Sequence, residues 1–301
     1  MGLLDDRAAL AGRVAVVAGG GGGLGRGAIL DLAGAGVSVA LCDKDPDALE
    51  ATAEEARRLG ADVMASALDV RDGEALGSFF TDVDARFGRL DILVNVVGGT
   101  FRSDFTDVSA KGRDTLVRTN FSWVVDATQL AASRMSDGGG GSIITITSIE
   151  AHRAAPGFAV YAAMKAALAH LARTLAVELG PAGIRVNCIA PDFVPTAGLS
   201  AVASGAGSGG SVAAAHPGGD PEDDPGDALT IPLGRKGRLE DIGNCVLFLA
   251  SDLSSYITGT TLHPDGGALA GSGWMHWPDD GFAARPPAWV LDRLASPGQR
   301  P

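Results

Sequence analysis

Tyr161 and Lys165 are the residues whose types and spacing point most directly to chemistry. They lie four positions apart in an alanine-rich run, Ala159 to Leu179, and on a helix this spacing places both side chains on one face. A lysine ammonium stabilises an ionised phenol and so lowers the pKa of a tyrosine, ordinarily near ~10. Such a tyrosine can exchange a proton with an alcohol or ketone oxygen. The same spacing also occurs by chance in helices, so the pair needs support elsewhere in the chain.

Ser148 offers a second hydroxyl thirteen residues before Tyr161. It follows an apolar, β-branched run, Ile143 to Thr147, that predicts a strand. A serine at the end of a strand, facing a helix that carries tyrosine and lysine, can hydrogen-bond the same substrate oxygen. Together the three residues predict acid/base chemistry at an alcohol or ketone.

A glycine-rich turn near the N terminus could hold a phosphate group. The apolar run Val14 to Val17 predicts a buried strand, and after it come the glycines at 19–23 and Gly25, where a helix from about Leu24 to Ala35 begins. In a strand, glycine turn and helix, backbone N–H groups can cradle a pyrophosphate at the helix N-terminus. The alternative, a flexible linker, fits poorly with apolar runs so close on both sides.

Asp43 ends the next apolar run, Val37 to Cys42. At the end of a second strand, a carboxylate accepts hydrogen bonds from the adenosine ribose hydroxyls and repels a 2′-phosphate. This position predicts a preference for NAD(H) over NADP(H), which the neighbouring Lys44 would soften.

Apolar runs and helical patterns alternate along most of the chain. Further strands are predicted at 63–70, 90–97, 184–190 and 261–264, and further helices at 46–59, 72–87, 104–135 (with a break near Gly112) and 239–250. Repeated βα units predict an α/β fold: a Rossmann-type, doubly wound parallel sheet with helices on both faces, in three α/β/α layers. Ligands of such sheets bind beyond the carboxyl ends of the strands, where the glycine turn, Asp43, Asp69, Asn95 and Ser148 would converge.

Composition excludes several classes of function. A net charge of -12 argues against a nucleic-acid partner. The acidic start has no signal-peptide pattern, and no apolar run approaches the length of a membrane span. Cys42, Cys188 and Cys245 are scattered, which argues against a metal site and fits a reducing cytosol. We therefore expect a cytoplasmic protein without membrane or metal.

From about Ala11 to Ala268 the chain resembles the short-chain dehydrogenase/reductase family. The family motif Thr-Gly-x-x-x-Gly-x-Gly matches residues 18–25, with Ala18 in place of the threonine, and its Asp-Val matches Asp69-Val70. Its Asn-Asn-Ala-Gly becomes Asn95-Val96-Val97-Gly98, and its Pro-Gly-x-x-x-Thr becomes Pro191 to Thr196, with Asp192 in place of the glycine. Its catalytic residues match Asn120, Ser148, Tyr161 and Lys165.

The resemblance implies an oxidoreductase that interconverts a secondary alcohol and a ketone with NAD(H). Tyr161 would be the acid/base, Ser148 would orient the substrate oxygen, and Lys165 would hold the nicotinamide ribose and lower the tyrosine pKa. Asn120 would position a water that links Lys165 to solvent. The expected cofactor-binding residues are Gly19, Gly22, Gly23, Leu24, Gly25, Asp43, Asp69, Val70, Asn95, Val97, Tyr161, Lys165, Pro191, Val194 and Thr196.

Substrate identity is less constrained. Glu150, His152, Phe158 and Phe193 are the expected substrate-binding residues, and their mixture suggests a polar-substituted ketone or secondary alcohol. One alternative is an NADPH-dependent 3-oxoacyl carrier-protein or acyl-CoA reductase, which Asp43 speaks against. Another is a non-catalytic binding protein, which the four intact catalytic positions oppose.

The chain is expected to form one domain over residues 1–270, with a flexible substrate loop at 197–230 and an aromatic, proline-rich extension at 271–301. The resemblance implies a homotetramer or homodimer formed through the Asn120 and Tyr161 helices. The extension, with three tryptophans and no room for a long helix between its prolines, would pack across a subunit interface or on its own subunit.

Overall fold

The computed structural model describes residues 2–196 and 225–295. Within them, seven parallel strands form one sheet in the order β3-β2-β1-β4-β5-β6-β7. The strands are Val14–Ala18 (β1), Ser38–Asp43 (β2), Val63–Ala67 (β3), Ile92–Asn95 (β4), Gly141–Ile146 (β5), Ile184–Ile189 (β6) and Thr261–Leu262 (β7). The predicted Rossmann-type fold is confirmed.

Helices cover both faces of this sheet. They are Leu3–Ala8 (α1), Gly23–Gly34 (α2), Pro46–Arg58 (α3), Gly73–Phe87 (α4), Ala110–Val117 (α5), Trp123–Gly138 (α6), Ala159–Leu179 (α7), Pro225–Thr230 (α8), Leu239–Ala250 (α9), Ala268–Gly271 (α10) and Ala288–Ala295 (α11). The bounds of α7 and α9 are those that the sequence predicts. Asp72 caps α4, its carboxylate accepting from Glu74 N and Ala75 N.

Two apolar clusters sandwich the sheet. Ala15 and Val17 of β1 face the cluster formed with α2, α3 and α9, whereas Val16 and Ala18 face the cluster formed with α4, α6 and α7. Both faces of each central strand are therefore buried, which explains why the strands read as continuous apolar runs with no polar alternation. The polar edge left for chemistry is the one at the strands' carboxyl ends.

The long helix predicted at 104–135 is interrupted. A 3₁₀ turn at Phe105–Asp107 precedes α5, and a π-helical turn, Arg118–Ser122, joins α5 to α6. The break lies before Ala110, not near Gly112, because the Ser109 hydroxyl caps α5 by accepting from Gly112 N at 3.1 Å. The π turn holds Asn120, whose Nδ2 donates back to Leu116 O at 2.9 Å, and such turns often occur at functional positions.

The described part of the C-terminal extension packs on its own subunit. Met275–Trp277 (β8) and Gly281–Ala283 (β9) form an antiparallel hairpin, and β8 contacts α8. Trp277 is only 8% exposed, and its ring lies edge-on to that of Trp289, 6.0 Å between centroids. The absence of a long helix agrees with the expectation from the prolines, while the interface role stays a prediction.

Most of the predicted substrate loop, 197–224, lies outside the described residues, and the remainder forms α8. Among the helices that the structure describes, none combines the length and the apolar character that crossing a membrane requires.

Candidate active site

Ser148 and Tyr161 meet at the end of β5. Ser148 follows this strand and begins a 3₁₀ turn, Ile149–Ala151, in which its Oγ accepts a hydrogen bond from Glu150 N at 3.2 Å. Tyr161 lies in the first turn of α7. The Ser148 hydroxyl is close enough to the Tyr161 phenol to lower its pKa through hydrogen bonding, so the sequence-predicted pair is placed where both could contact one substrate oxygen.

Burial dominates the ionisation of Tyr161. It raises the pKa of the phenol above its ordinary value, the Ser148 hydrogen bond lowers it, and the nearby charge of Glu150 raises it. The net direction is opposite to the lowering expected from Lys165. The position of Lys165 explains part of this difference between the observed and expected pKa shifts. Its Nζ donates a hydrogen bond to Ile146 O at 2.9 Å and lies 5.8 Å from the Tyr161 ring centroid.

Lys165 is itself buried, and this desolvation lowers its pKa to about 8. Its neighbour across Gly98 is Asn120: a Cβ placed on Gly98 would lie 3.1 Å from both Lys165 Nζ and Asn120 Oδ1. Asn120 is fixed by a pair of hydrogen bonds to Gly99, Oδ1 accepting from its N–H at 3.1 Å and Nδ2 donating to its carbonyl at 2.8 Å. The structure therefore brings Asn120 and Lys165 together.

The glycine turn follows β1 and is fixed by β2. Gly19 N and Gly20 N both donate to Cys42 O, at 2.8 and 3.1 Å, and Gly21 N donates to Asp43 Oδ2 at 3.0 Å. Gly25 packs against this turn so closely that a Cβ on it would lie 1.8 Å from Gly19 O. A Cβ on Gly22, by contrast, would meet nothing within 4 Å. The turn thus presents open space at the N-terminus of α2, as a phosphate cradle requires.

The loop after β6 connects the glycine turn with the Ser148 turn. Thr196 lies beside Gly23, where a Cβ would be 3.2 Å from Thr196 Cγ2. At the other end, Pro191 O accepts from Ile149 N at 2.9 Å. Between these two ends of the loop, Val194 is buried and packs beside Gly237. Leu24 packs against the core at the start of α2.

The expected cofactor-binding residues that follow β3 and end β4 are placed less uniformly. Asp69 binds Arg71, with Asp69 Oδ2 2.5 Å from Arg71 Nη2, and this guanidinium lowers the pKa of the carboxyl to about 2. Val70 is buried in the second cluster. Asn95 turns into the protein interior, where its Nδ2 donates to Thr145 Oγ1 at 3.2 Å, and its Oδ1 has no partner among the described residues.

The altered Asn-Val-Val-Gly turn keeps its attachment to β1 through the backbone. Val96 N and Val97 N both donate to Ala18 O, at 2.9 and 3.2 Å. The Val97 side chain reaches the glycine turn, since a Cβ on Gly19 would lie 2.8 Å from Val97 Cγ2.

The expected substrate-binding residues lie around the Ser148 turn and the loop after β6. Glu150 is bound by Arg153, 2.8 Å from Oε1 to Nη2, and the same Nη2 lies 3.4 Å from Asp192 Oδ1. The His152 ring packs edge-on against His263, 4.5 Å between centroids, and its burial lowers the pKa of His152. Phe158 precedes α7, and the Phe193 ring lies 5.7 Å from Lys236 Nζ.

Sequence reasoning missed two of these neighbours, Arg71 and His263. Arg71 follows Asp69 by two residues, a spacing that could have suggested the ion pair, whereas no local pattern relates His263 to His152. Within residues 2–196 and 225–295, no three histidine, cysteine, aspartate or glutamate side chains are grouped to hold a metal ion.

Comparison with known proteins places this geometry in context. A family model described as enoyl-(acyl carrier protein) reductase matches residues 19–268. The 7α-hydroxysteroid dehydrogenase of Escherichia coli (strain K12) is 33% identical over 265 residues, 88% of this chain and 97% of that protein. A 3-oxoacyl-[acyl-carrier-protein] reductase of Thermotoga maritima is 32% identical over 261 residues, 86% of this chain and 99% of that protein.

A solved structure gives the same match in three dimensions. It is a 7α-hydroxysteroid dehydrogenase complexed with NADH and 7-oxo glycochenodeoxycholic acid, 31% identical, with a TM-score of 0.76. The alignment covers 89% of this chain and 98% of that one.

Proposed function

The chain belongs to the short-chain dehydrogenase/reductase family, and we propose that it interconverts a secondary alcohol and a ketone with NAD(H) as cofactor. The observation that carries this proposal is the proximity of the Ser148 hydroxyl to the Tyr161 phenol at the end of β5, where Ser148 acts to lower the pKa of the phenol, with Lys165 one helical turn along α7. Non-catalytic binding by the same fold would not require these three side chains to converge.

The residues present fit a dinucleotide. Open space above Gly22, the close approach of Gly25 to the turn and the carboxylate of Asp43 provide the phosphate and ribose contacts of such a site. When bound, the nicotinamide ring supplies or accepts the hydride. Lys165 would hold the nicotinamide ribose, and Thr196 with the Pro191 and Val194 backbone would hold the carboxamide end.

The preference for NAD(H) rests on charge. Asp43 Oδ2 accepts from Gly21 N and its Oδ1 from Asp45 N, at 3.0 and 3.2 Å, so the carboxylate is held at the edge of the turn. Arg26, the arginine nearest in sequence to the glycines, is paired with Glu55, and Arg71 is paired with Asp69. A 2′-phosphate would thus meet a fixed carboxylate and two arginines already engaged with acids.

Tyr161 would donate the proton to the carbonyl oxygen during reduction. Because burial keeps its pKa above the ordinary value, the phenol carries its proton at neutral pH, which suits a general acid. Ser148 Oγ would hydrogen-bond the same oxygen and hold it against the phenol. Oxidation would require Tyr161 as the phenolate, which accepts the hydroxyl proton of the alcohol and becomes the phenol.

Lys165 and Asn120 would exchange the Tyr161 proton with solvent, supplying a proton during reduction and removing one during oxidation. A lysine whose pKa is about 8 can exchange a proton near neutral pH, and it lies beside the Asn120 amide across Gly98. Asn120, fixed by Gly99, would position the water that completes this path.

An NADPH-dependent 3-oxoacyl carrier-protein reductase is the second candidate, favoured by the Thermotoga maritima relative. The cofactor assay separates the two. We further propose a cytoplasmic homotetramer or homodimer. Val177 of α7 is 78% exposed, which is consistent with burial of this helix against a second copy, and Cys42, Cys188 and Cys245, all in the described part of the chain, are unpaired.

A panel of ketones and secondary alcohols, assayed at 340 nm with both cofactors, tests the proposal. Tyr161→Phe is expected to lower kcat by ~100-fold or more while leaving NADH affinity nearly intact, since proton transfer alone is lost. Tyr256→Phe is the matched control, because Tyr256 is the other tyrosine and is fully exposed. If Tyr161→Phe kept more than about a tenth of wild-type activity, the assignment would be wrong.

A further inference from the structure

A chain of charged side chains lies beside the catalytic hydroxyls. Arg153 Nη2 is 2.8 Å from Glu150 Oε1 and 3.4 Å from Asp192 Oδ1, and Arg153 Nε also donates to Glu150 Oε1. Glu150 comes from the Ser148 turn and Asp192 from the loop after β6, so the guanidinium joins the two segments that frame the site. The resemblance to the family does not account for Asp192, which stands where the family has glycine.

Negative charge predominates in this cluster. One guanidinium neutralises one of the two carboxylates, and the charge of buried Asp265 acts on both Arg153 and Asp192. Arg153 Nε and Nη2 are both engaged by these acids, so the guanidinium is shared between two carboxylates. The Glu150 and Asp192 side chains are 24% and 20% exposed, so both can be reached.

The cluster is close enough to affect the reacting groups. Glu150 N donates to Ser148 Oγ at 3.2 Å, which fixes the residue next to the catalytic hydroxyl. The Glu150 charge also raises the pKa of Tyr161. A substituent of the substrate a few bonds from its carbinol carbon would therefore lie in the same negative field.

We propose that Glu150 and Asp192, bridged by Arg153, determine specificity by accepting hydrogen bonds from a hydroxyl or ammonium substituent and by repelling a carboxylate or phosphate. This inference rests on the proposed alcohol/ketone oxidoreductase function and adds the substrate class: neutral hydroxylated or cationic amino ketones and alcohols. Glu150 has its second oxygen, Oε2, without a bond among the described residues and is the principal acceptor.

Binding of unreactive analogues tests the inference without turnover. Calorimetry in the presence of NAD compares cyclohexylmethylamine, cyclohexylmethanol and cyclohexanecarboxylate, which share a ring and differ in the polar group. We expect the amine to bind at least tenfold more tightly than the carboxylate, or ~1.4 kcal/mol, with the alcohol between them. Glu150→Gln, which keeps the shape of the side chain, should reduce this ratio about tenfold, as loss of one partly screened charge would.

Two further variants secure the interpretation. Asp192→Asn should reduce the ratio less than Glu150→Gln, because Glu150 adjoins the catalytic Ser148 hydroxyl, and it provides a second route if Glu150→Gln folds poorly. Asp84→Asn removes a carboxylate that binds Arg134 on the α4 surface and should leave the ratio unchanged.

The outcomes separate this inference from the proposed function. Carboxylate binding equal to or tighter than amine binding, no measurable amine binding, or a ratio unchanged in Glu150→Gln overturns the specificity assignment. The proposed function fails on a different readout: absent NADH binding, or absent NADH oxidation with every ketone of the panel. Turnover of 4-(aminomethyl)cyclohexanone above that of 4-oxocyclohexanecarboxylate would support both.

Discussion

Two glycines of the same turn should respond differently to alanine, because one is required by packing and the other by the ligand. Gly25 supports the fold: a Cβ there would lie 1.8 Å from Gly19 O, and Gly19 is itself held by Cys42 O. Gly22 has an extended backbone, φ −161°, and a Cβ there would meet nothing within 4 Å. Gly22→Ala should therefore fold normally and obstruct only what binds above the turn.

The magnitudes follow from these distances. Gly25→Ala requires the first turn of α2 to move by about an ångström or more, and we expect destabilisation of roughly 3 kcal/mol or more. Gly22→Ala should change stability by less than about 1 kcal/mol, in the favourable direction, since alanine restricts the unfolded chain. If its methyl displaces one charge-assisted phosphate hydrogen bond, worth ~1.5–3 kcal/mol, the Kd for NADH should rise about 10- to 150-fold.

Urea unfolding and NADH titration by tryptophan fluorescence measure the two effects separately. We expect Gly22→Ala to match wild-type stability with weakened NADH binding, and Gly25→Ala to lose stability first. Gly34→Ala, at a helical glycine where a Cβ also has open space, controls for the substitution itself. An NADH affinity for Gly22→Ala within twofold of wild type would show that no phosphate lies above Gly22, and the cofactor assignment of the turn would be refuted.

Two further changes test the charges of the site. Asp43→Asn keeps a hydrogen-bond acceptor for Gly21 N but removes the carboxylate charge. The preference for NADH over NADPH should therefore fall about thirtyfold, or ~2 kcal/mol. An unchanged ratio of the two dissociation constants would contradict the role of Asp43. Burial lowers the pKa of Lys165 from 10.5 to about 8. Between these two pH values the unfolded chain therefore binds a proton that the folded chain lacks. The contribution of Lys165 to the free energy of unfolding consequently rises with pH in this range. Lys165→Met should therefore be more stable than wild type at pH 7, by up to ~3 kcal/mol. Urea unfolding should show this difference in stability shrinking as the pH rises from 8 to 10.5. A difference that does not depend on pH would contradict the burial of the charge.

The sheet and most helices could be predicted because their signals are local. Each central strand is buried on both faces and reads as an unbroken apolar run, and α7 begins and ends where its alanine-rich pattern does. Strand ends were predicted less well: β3 stops at Ala67 and β4 at Asn95, although apolar residues continue to Val70 and Val97. Val70 is buried and Val97 is partly buried against the same apolar cluster, so their hydrophobicity reflects packing against the core and carries no information on strand pairing.

The π turn at Asn120 had no such signal. Residues 104–135 have helical spacing, and the extra residue per turn at Arg118–Ser122 becomes apparent only when the Asn120 side chain is seen bonding Leu116 and Gly99. The Glu150, Arg153 and Asp192 cluster was equally hidden, because two loops separated by α7 and β6 supply its members. Contacts between distant loops depend on tertiary packing, which residue spacing along the chain does not record.

Tyr161 and Lys165 show why spacing predicts proximity better than it predicts charge. The four-residue interval places Lys165 Nζ 5.8 Å from the tyrosine ring, as a shared helix face requires. The same helix face is buried, however, and burial opposes the charged form of both groups: it raises the pKa of Tyr161 and lowers that of Lys165. Lys165 Nζ donates to Ile146 O, and the groups that shift the pKa of Tyr161 are Ser148 and Glu150 together with burial, so a shared helix face does not by itself make the lysine lower the tyrosine pKa.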